Sequence, residues 1–234
     1  MKIFLDAGHN DAKFDTGAEG FGLREQDVTF AISKLLGEKL KRVGIDVKYS
    51  RNNKTDIVGK DYNDSLYERA KLSNMCGSQL FLSIHTNSSD KPSANGTEVY
   101  VYNFNSSSVS LAEKIQHNIV NDLGTCDRGI KEANFVVLRC TNAPAILIEI
   151  AFISNASDNK KLKTKQEEIA EAIFKAICEE YDITTKKYES AEEITDKLSE
   201  MIEITDKATA VKQIQRAKDE NNSLYWILYK LVNR

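Results

Sequence analysis

Two histidines and two glutamates stand where an apolar run gives way to a polar loop: His9, Glu25, His85 and Glu149. His9 follows the strand-like run Lys2–Leu5 and the tripeptide Asp6-Ala7-Gly8, and His85 directly follows Leu80-Phe81-Leu82-Ser83-Ile84. Glu25 comes after the glycine-bearing loop Gly17–Gly22 and opens a helical pattern. Glu149 lies near the end of Ala145-Ile146-Leu147-Ile148-Glu149-Ile150. In an open α/β sheet the loops at the carboxyl ends of strands gather on one edge, where ligands bind. Catalytic zinc sites take three protein ligands from histidine and carboxylate and keep a fourth position for water. The metal brings the pKa of that water to about 7, and a further carboxylate must then take and return the proton. His9, Glu25 and His85 supply such a two-histidine, one-carboxylate set, and Glu149 is left for the proton. The count suits hydrolysis of an amide.

Spacing alone leaves blander readings open. The four residues are scattered, unlike the short HExxH helix motif. Histidines at the ends of strands are also read as hydrogen-bonded caps, and Glu25 as a carboxylate on a helix dipole. Glu149 is harder to set aside, because a carboxylate inside an apolar strand is costly to bury unless it is paired or functional. His117 falls in a helical pattern beside Asn118 and reads as an ordinary surface residue.

The elements that must position these residues alternate between strand and helix, the mark of an α/β layer fold. Residues 26–43 follow a helical period with Val28, Ile32, Leu35, Leu36 and Leu40 on one side, and Gly44 is placed to end that helix. A strand is expected over Ile45–Tyr49, a helix over Asp64–Met75, and a strand over Leu80–Ile84. After the Asn95-Gly96 turn signal come a strand, Thr97–Tyr102, and a helix, Ser108–Asp122. A buried strand at Ala145–Ile150 and one long helix over Asn159–Glu180 close the unit. We place a catalytic domain at 1–182, a polar linker at 183–190 and a helical module at 191–234. The module carries helical signals at Ala191–Glu200, Asp206–Asn221 and Ser223–Val232. Its core is expected from Ile214, Leu224, Trp226, Ile227, Leu228, Leu231 and Val232, which is marginal for a piece this small. The tetrapeptide Ile-Thr-Asp-Lys occurs at Ile194–Lys197 and again at Ile204–Lys207, an offset too short for a repeat architecture.

A chain of 234 residues can fill one core plus something smaller. Its net charge of -3 gives no whole-molecule attraction to nucleic acid, and we expect none as a partner. No apolar run approaches the roughly 18 residues needed to cross a bilayer, so no membrane insertion is expected. Nor does the start carry the apolar stretch of a secretory signal, which predicts synthesis in the cytoplasm. Cys76, Cys126, Cys140 and Cys178 have no CxxC spacing and are expected to be reduced and mostly buried.

Six stretches, in order, carry a resemblance: Ile3-Phe4-Leu5-Asp6-Ala7-Gly8-His9; Gly22-Leu23-Arg24-Glu25; Leu66-Tyr67-Glu68-Arg69-Ala70; Phe81-Leu82-Ser83-Ile84-His85-Thr86-Asn87; Gly96-Thr97-Glu98-Val99-Tyr100; and Ile146–Asn155. Over residues 2–180 the chain closely resembles the zinc-dependent N-acetylmuramoyl-L-alanine amidases of the type-3 family. The resemblance implies a mixed, mostly parallel sheet flanked by helices, followed here by a small all-α module. It implies Zn2+ on His9, Glu25 and His85, and Glu149 as the catalytic carboxylate. It also implies peptidoglycan as partner, cut between N-acetylmuramic acid and L-alanine. Asn10 and Ala151 depart from glycines common in the family, and neither removes a functional atom. Arg51 and Arg69 are read as structural or substrate-positioning, and Tyr100, Tyr102 and Phe104 as packing or groove residues. Glu98 is read as a support for a ligand histidine. A wall hydrolase made in the cytoplasm acts after release, so a phage endolysin that lyses its host is the expected setting, with a sporulation autolysin as the alternative. The module would then bind wall, or form a homodimer through Trp226 and Leu228. The alternatives from other classes are a non-catalytic wall-binding protein and a zinc carboxypeptidase.

Overall fold

Successive residues of a strand point to opposite faces, and here both faces of one sheet are used. The computed structural model describes residues 1–183, 191–201, 204, 206–219 and 228. In chain order its elements are β1 (Lys2–Ala7), the hairpin of β2 (Glu19–Gly20) and β3 (Leu23–Arg24), α1 (Glu25–Arg42), β4 (Asp46–Tyr49) and α2 (Tyr62–Cys76). There follow β5 (Leu80–Asn87), β6 (Thr97–Val101), α3 (Val109–Leu123), β7 (Asp127–Glu132) and α4 (Val136–Arg139), then β8 (Ala145–Phe152), α5 (Ala156–Thr164) and α6 (Gln166–Glu180). The main sheet runs β4-β1-β5-β8-β6-β7. The strands from β4 to β8 are parallel, β6 is antiparallel to β8, and β7 is parallel to β6. This is the mixed, mostly parallel sheet the resemblance implies.

One face holds the larger core. Ile3 and Leu5, Leu80, Leu82 and Ile84, Val99 and Val101, and Ile146, Ile148 and Ile150 bury against the apolar sides of α1, α3 and α6. The other face begins apolar, with Phe4, Phe81 and Leu147 packed on Val137 and Leu138 of α4. Toward the carboxyl ends of the parallel strands the same face turns polar. Asp6, Ser83, His85 and Glu149 follow at two-residue steps. The fold thus places chemistry on the thinner side, and α1, closed by Gly44 at φ 81, braces the thicker one.

Three expectations of the sequence reading change. The long helix over Asn159–Glu180 is two helices, α5 and α6, which meet at Lys165 (φ -123, ψ 30). The earlier start of α5 is set by Asn155, whose side chain accepts from the N–H groups of Ser157 and Asp158. β7 and α4 were not expected. Asp127-Arg128-Gly129-Ile130-Lys131-Glu132 has one apolar residue and no alternation, as suits an edge strand protected by charge. The four cysteines are free, but Cys126 is exposed and the others are only half-buried.

Two compact units divide the chain, Met1–Ile183 and Thr184–Arg234. In the second, α7 (Ala191–Met201) and α8 (Lys207–Asp219) pair. Ile194 and Leu198 from one bury with Ile214 and Ala217 from the other, and Leu228 packs beside them. Half of this small core therefore comes from α7, which the sequence reading left out of it. Apart from Leu228, the expected helix at Ser223–Val232 lies outside the described residues, as do the linker residues 184–190 and Leu224, Trp226, Ile227, Leu231 and Val232.

Candidate metal centre

Each site residue is carried by a different element. His9 follows β1 with φ 61, a left-handed conformation uncommon for a residue with a side chain. Such strain persists where surrounding contacts over-determine it. Here Arg69 Nη2 donates to the His9 carbonyl at 2.8 Å, and His9 Nδ1 lies 2.7 Å from Asp15 Oδ1. Gly8 must be glycine, since a Cβ there would lie 2.4 Å from the His85 ring. Glu25 is the first residue of α1. Its Oε2 accepts from the Ala18 N–H at 2.9 Å, and its Oε1 from the Thr86 N–H at 2.9 Å. Two backbone donors thereby fix the carboxylate.

His9 Nε2 lies 3.3 Å and His85 Nδ1 3.2 Å from the same Glu25 Oε1. One donor atom from each of the three residues falls within 4.8 Å of the others, the only such group among the described residues. Two imidazoles and a carboxylate are the donor set of a catalytic divalent metal with a position left open. Asp15 completes the arrangement, because a ligating histidine donates its second ring N–H to a carboxylate or carbonyl. Asp15 is itself held by Ser65 Oγ at 2.8 Å and Arg69 Nη2 at 3.3 Å. Arg69 also pairs with buried Asp6 at 2.6 Å, which makes it a structural strut.

Electrostatics separates the carboxylates. Burial opposes ionisation of Glu25, but hydrogen bonds from His85 and His9 outweigh it and hold the carboxyl well below its usual range. Burial likewise opposes charge on His9, while its bonds to Asp15 and Glu25 push the ring up to about 9. Glu149 goes the other way. Burial, followed by the charge on Glu25, pushes it up to about 8. Its backbone is in register with His85 across β5 and β8, and its Oε2 is buried without a hydrogen-bond partner. A carboxyl so placed is either a burden or a reagent.

His9, His85 and Glu149 open into a cleft of about 350 Å³. It is lined by Tyr62 and Leu66 of α2 and by Phe135 and Val137 at α4. Tyr100 packs edge-on against Phe135 at 5.2 Å, whereas Tyr102 and Phe104 are exposed outside the cleft walls. Glu98 supports no histidine. Its oxygens are taken by Asn87, Tyr100, Arg128 and Lys131. Asp15 escaped the sequence reading because its loop has no periodicity to mark it. His117 is an exposed residue bonded to Asn121, as expected.

Comparison with known proteins agrees with this geometry. The Amidase_3 family model, described as N-acetylmuramoyl-L-alanine amidase, matches residues 3–179. The N-acetylmuramoyl-L-alanine amidase LytC of Bacillus subtilis (strain 168) is 43% identical over 164 residues, covering 69% of this chain and 31% of LytC. The chain thus spans about a third of that relative. YqiI of the same organism is 38% identical over 184 residues, covering 77% of this chain and 84% of its own. Among solved structures, the N-acetylmuramoyl-L-alanine amidase from Clostridium difficile 630 superposes with a TM-score of 0.70 at 34% identity, over 77% of this chain and 96% of that one. By family match, identity and fold together, this chain belongs to the Amidase_3 family.

Proposed function

We propose that the chain hydrolyses the amide between N-acetylmuramic acid and the L-alanine of peptidoglycan stem peptides, with zinc held by His9, Glu25 and His85. The observation that carries this reading is the convergence of those three donors beside Glu149, whose buried Oε2 has no partner. When bound, zinc supplies Lewis acidity, which acidifies water and polarises a carbonyl. Glu149 takes the proton of the attacking water and delivers it to the departing alanine amine. A pKa raised toward neutrality suits a group that must both accept and return a proton. Asp15 accepts from His9 Nδ1, fixing the tautomer that leaves Nε2 facing Glu25. The backbone bonds on both Glu25 oxygens keep that carboxylate from swinging into the cleft. Phe135, Val137 and Leu147 line the cleft and reduce the water around the reacting groups.

The test joins metal content to product analysis. One zinc per chain, and new L-alanine amino termini released from purified walls, are expected for the wild type. His85→Ala should lose both. Zinc without wall cleavage would assign a wall-binding protein, and cleavage of simple peptides in preference to muropeptides would assign a peptidase. Most of the relatives that support the reading are bacterial cell-wall amidases, so wall turnover by a bacterial amidase is the setting we propose, rather than phage lysis in particular. We further propose action on the wall after release from the cell, and wall targeting by the unit Thr184–Arg234. Truncation after Asp182 should abolish wall binding. Loss of dimer mass alone would instead assign that unit to self-association.

A further inference from the structure

The strand next to Glu149 carries a charged cluster that the hydrolytic chemistry does not use. Glu98 of β6 stands directly opposite Glu149 in the antiparallel register, so the two side chains leave the same face. Four donors converge on its buried carboxylate. Asn87 Nδ2 at 2.6 Å and Tyr100 Oη at 2.8 Å bond Oε1, while Arg128 Nε at 2.6 Å and Lys131 Nζ bond Oε2. One carboxylate thus faces two cations.

Arg128 and Lys131 are three residues apart, and in a regular strand they would leave opposite faces. They meet because β7 carries an extra residue: Thr97 pairs with Asp127, but Val99 pairs with Ile130. Gly129 takes φ 74 within that bulge. No atom lies within 4 Å of where its Cβ would be, so it is the backbone angle, not crowding, that favours glycine. Bulges beside active sites re-aim side chains, and this one turns two cations to the face of Glu149. Arg128 spends only Nε on Glu98. Its two terminal amino groups have no hydrogen-bond partner among the described residues. About a third of each cation's side chain remains open, 35% for Arg128 and 38% for Lys131. Arg128 is seated over the Phe152 ring at 5.0 Å, and Lys131 lies 5.8 Å from the ring of Tyr100, which packs on the cleft residue Phe135.

We propose that Arg128 and Lys131 recognise a carboxylate on the peptide arm of the substrate and so set which arm lies across β6 and β7. The inference rests on the amidase reading. Once amidated, the lactyl group leaves the glycan arm uncharged, whereas the peptide arm keeps free carboxylates. A guanidinium with two unused amino groups takes a carboxylate in a paired, planar geometry that a sugar hydroxyl does not match. These are positioning residues, and they touch no reacting atom.

The experiment compares wild type with Arg128→Gln on muropeptide pairs in which the glutamate next to L-alanine carries a free or an amidated α-carboxyl. In parallel, binding of the dipeptide L-Ala-D-Glu to the full chain is measured by calorimetry. Lys131 remains to neutralise Glu98 in this variant, and an unchanged melting curve would verify the fold. We expect KM for the free acid to rise about tenfold with kcat within about twofold, KM for the amide to stay within about twofold, and dipeptide affinity to fall in step. Arg128→Lys should recover part of the loss. Equal changes on acid and amide, or no change on either, would overturn the proposal. If wild type cleaves neither muropeptide, the amidase reading fails, and the dipeptide binding still decides whether the cations hold a carboxylate.

Discussion

Replacing Glu149 by glutamine should make the metal-free protein more stable while disabling it. The carboxyl is in β8, borders the cleft, and has a buried Oε2 without a partner. Its pKa is raised from 4.5 to about 8. A carboxyl raised in this way is neutral in both folded and unfolded chains below about pH 4.5. Between about 4.5 and 8 only the fold keeps the proton, so stability declines as pH rises through that window. One pKa unit is worth about 1.4 kcal/mol, which puts the ceiling near 5 kcal/mol. Solvent in the cleft screens part of it, and about 2 kcal/mol is the expected gain for Glu149→Gln near pH 8. The assay is urea unfolding of chelator-treated wild type and variant from pH 4.5 to 8.5, comparing midpoints at constant slope. The two proteins should coincide at the acid end and diverge toward pH 8. A zinc-loaded sample should show a smaller gap, because a nearby cation favours the carboxylate. Wall hydrolysis by the loaded variant should fall by about 10²–10⁴-fold. A gap that does not grow with pH would refute the raised pKa, and hydrolysis near the wild-type rate would refute the proton role.

Three further outcomes test the metal centre. His9, held up to about 9 by Asp15 and Glu25 against the effect of burial, must lose a proton to bind metal. Zinc affinity from competition titration should therefore tighten about tenfold per pH unit from 7 to 9, and a flat profile would remove His9 from the ligand set. Asp15→Asn should weaken zinc about 10–100-fold, most visibly near pH 9 where the proton no longer competes; unchanged affinity would show that Asp15 does not orient the ring. Gly8→Ala puts a Cβ 2.4 Å from the His85 ring, so it should lose zinc while keeping the far-ultraviolet spectrum of the fold. Full zinc occupancy in that variant would place His85 outside the site.

The sequence determined the α/β class and singled out His9, Glu25, His85 and Glu149, which the fold brings together. It could do so because His9, His85 and Glu149 each sit at or near the end of an apolar run, where a strand meets its loop. Glu149 was legible by conflict, a charge inside Ala145–Ile150. Asp15 stands in an aperiodic loop, and the contacts of Arg69 with Asp6 and of Glu98 with Arg128 and Lys131 were not legible, since those partners lie 63, 30 and 33 positions apart. The sequence also did not show β7, for an edge strand needs little apolar surface and its bulge breaks the period of two. Tertiary structure decided which face of each strand carries the site. Both faces of this sheet are covered, so apolar residues fall on both and alternation along any one strand does not separate them. Only the packing of α1, α3 and α6 on one side and of α4 on the other turns His85, Leu147 and Glu149 toward the same cleft.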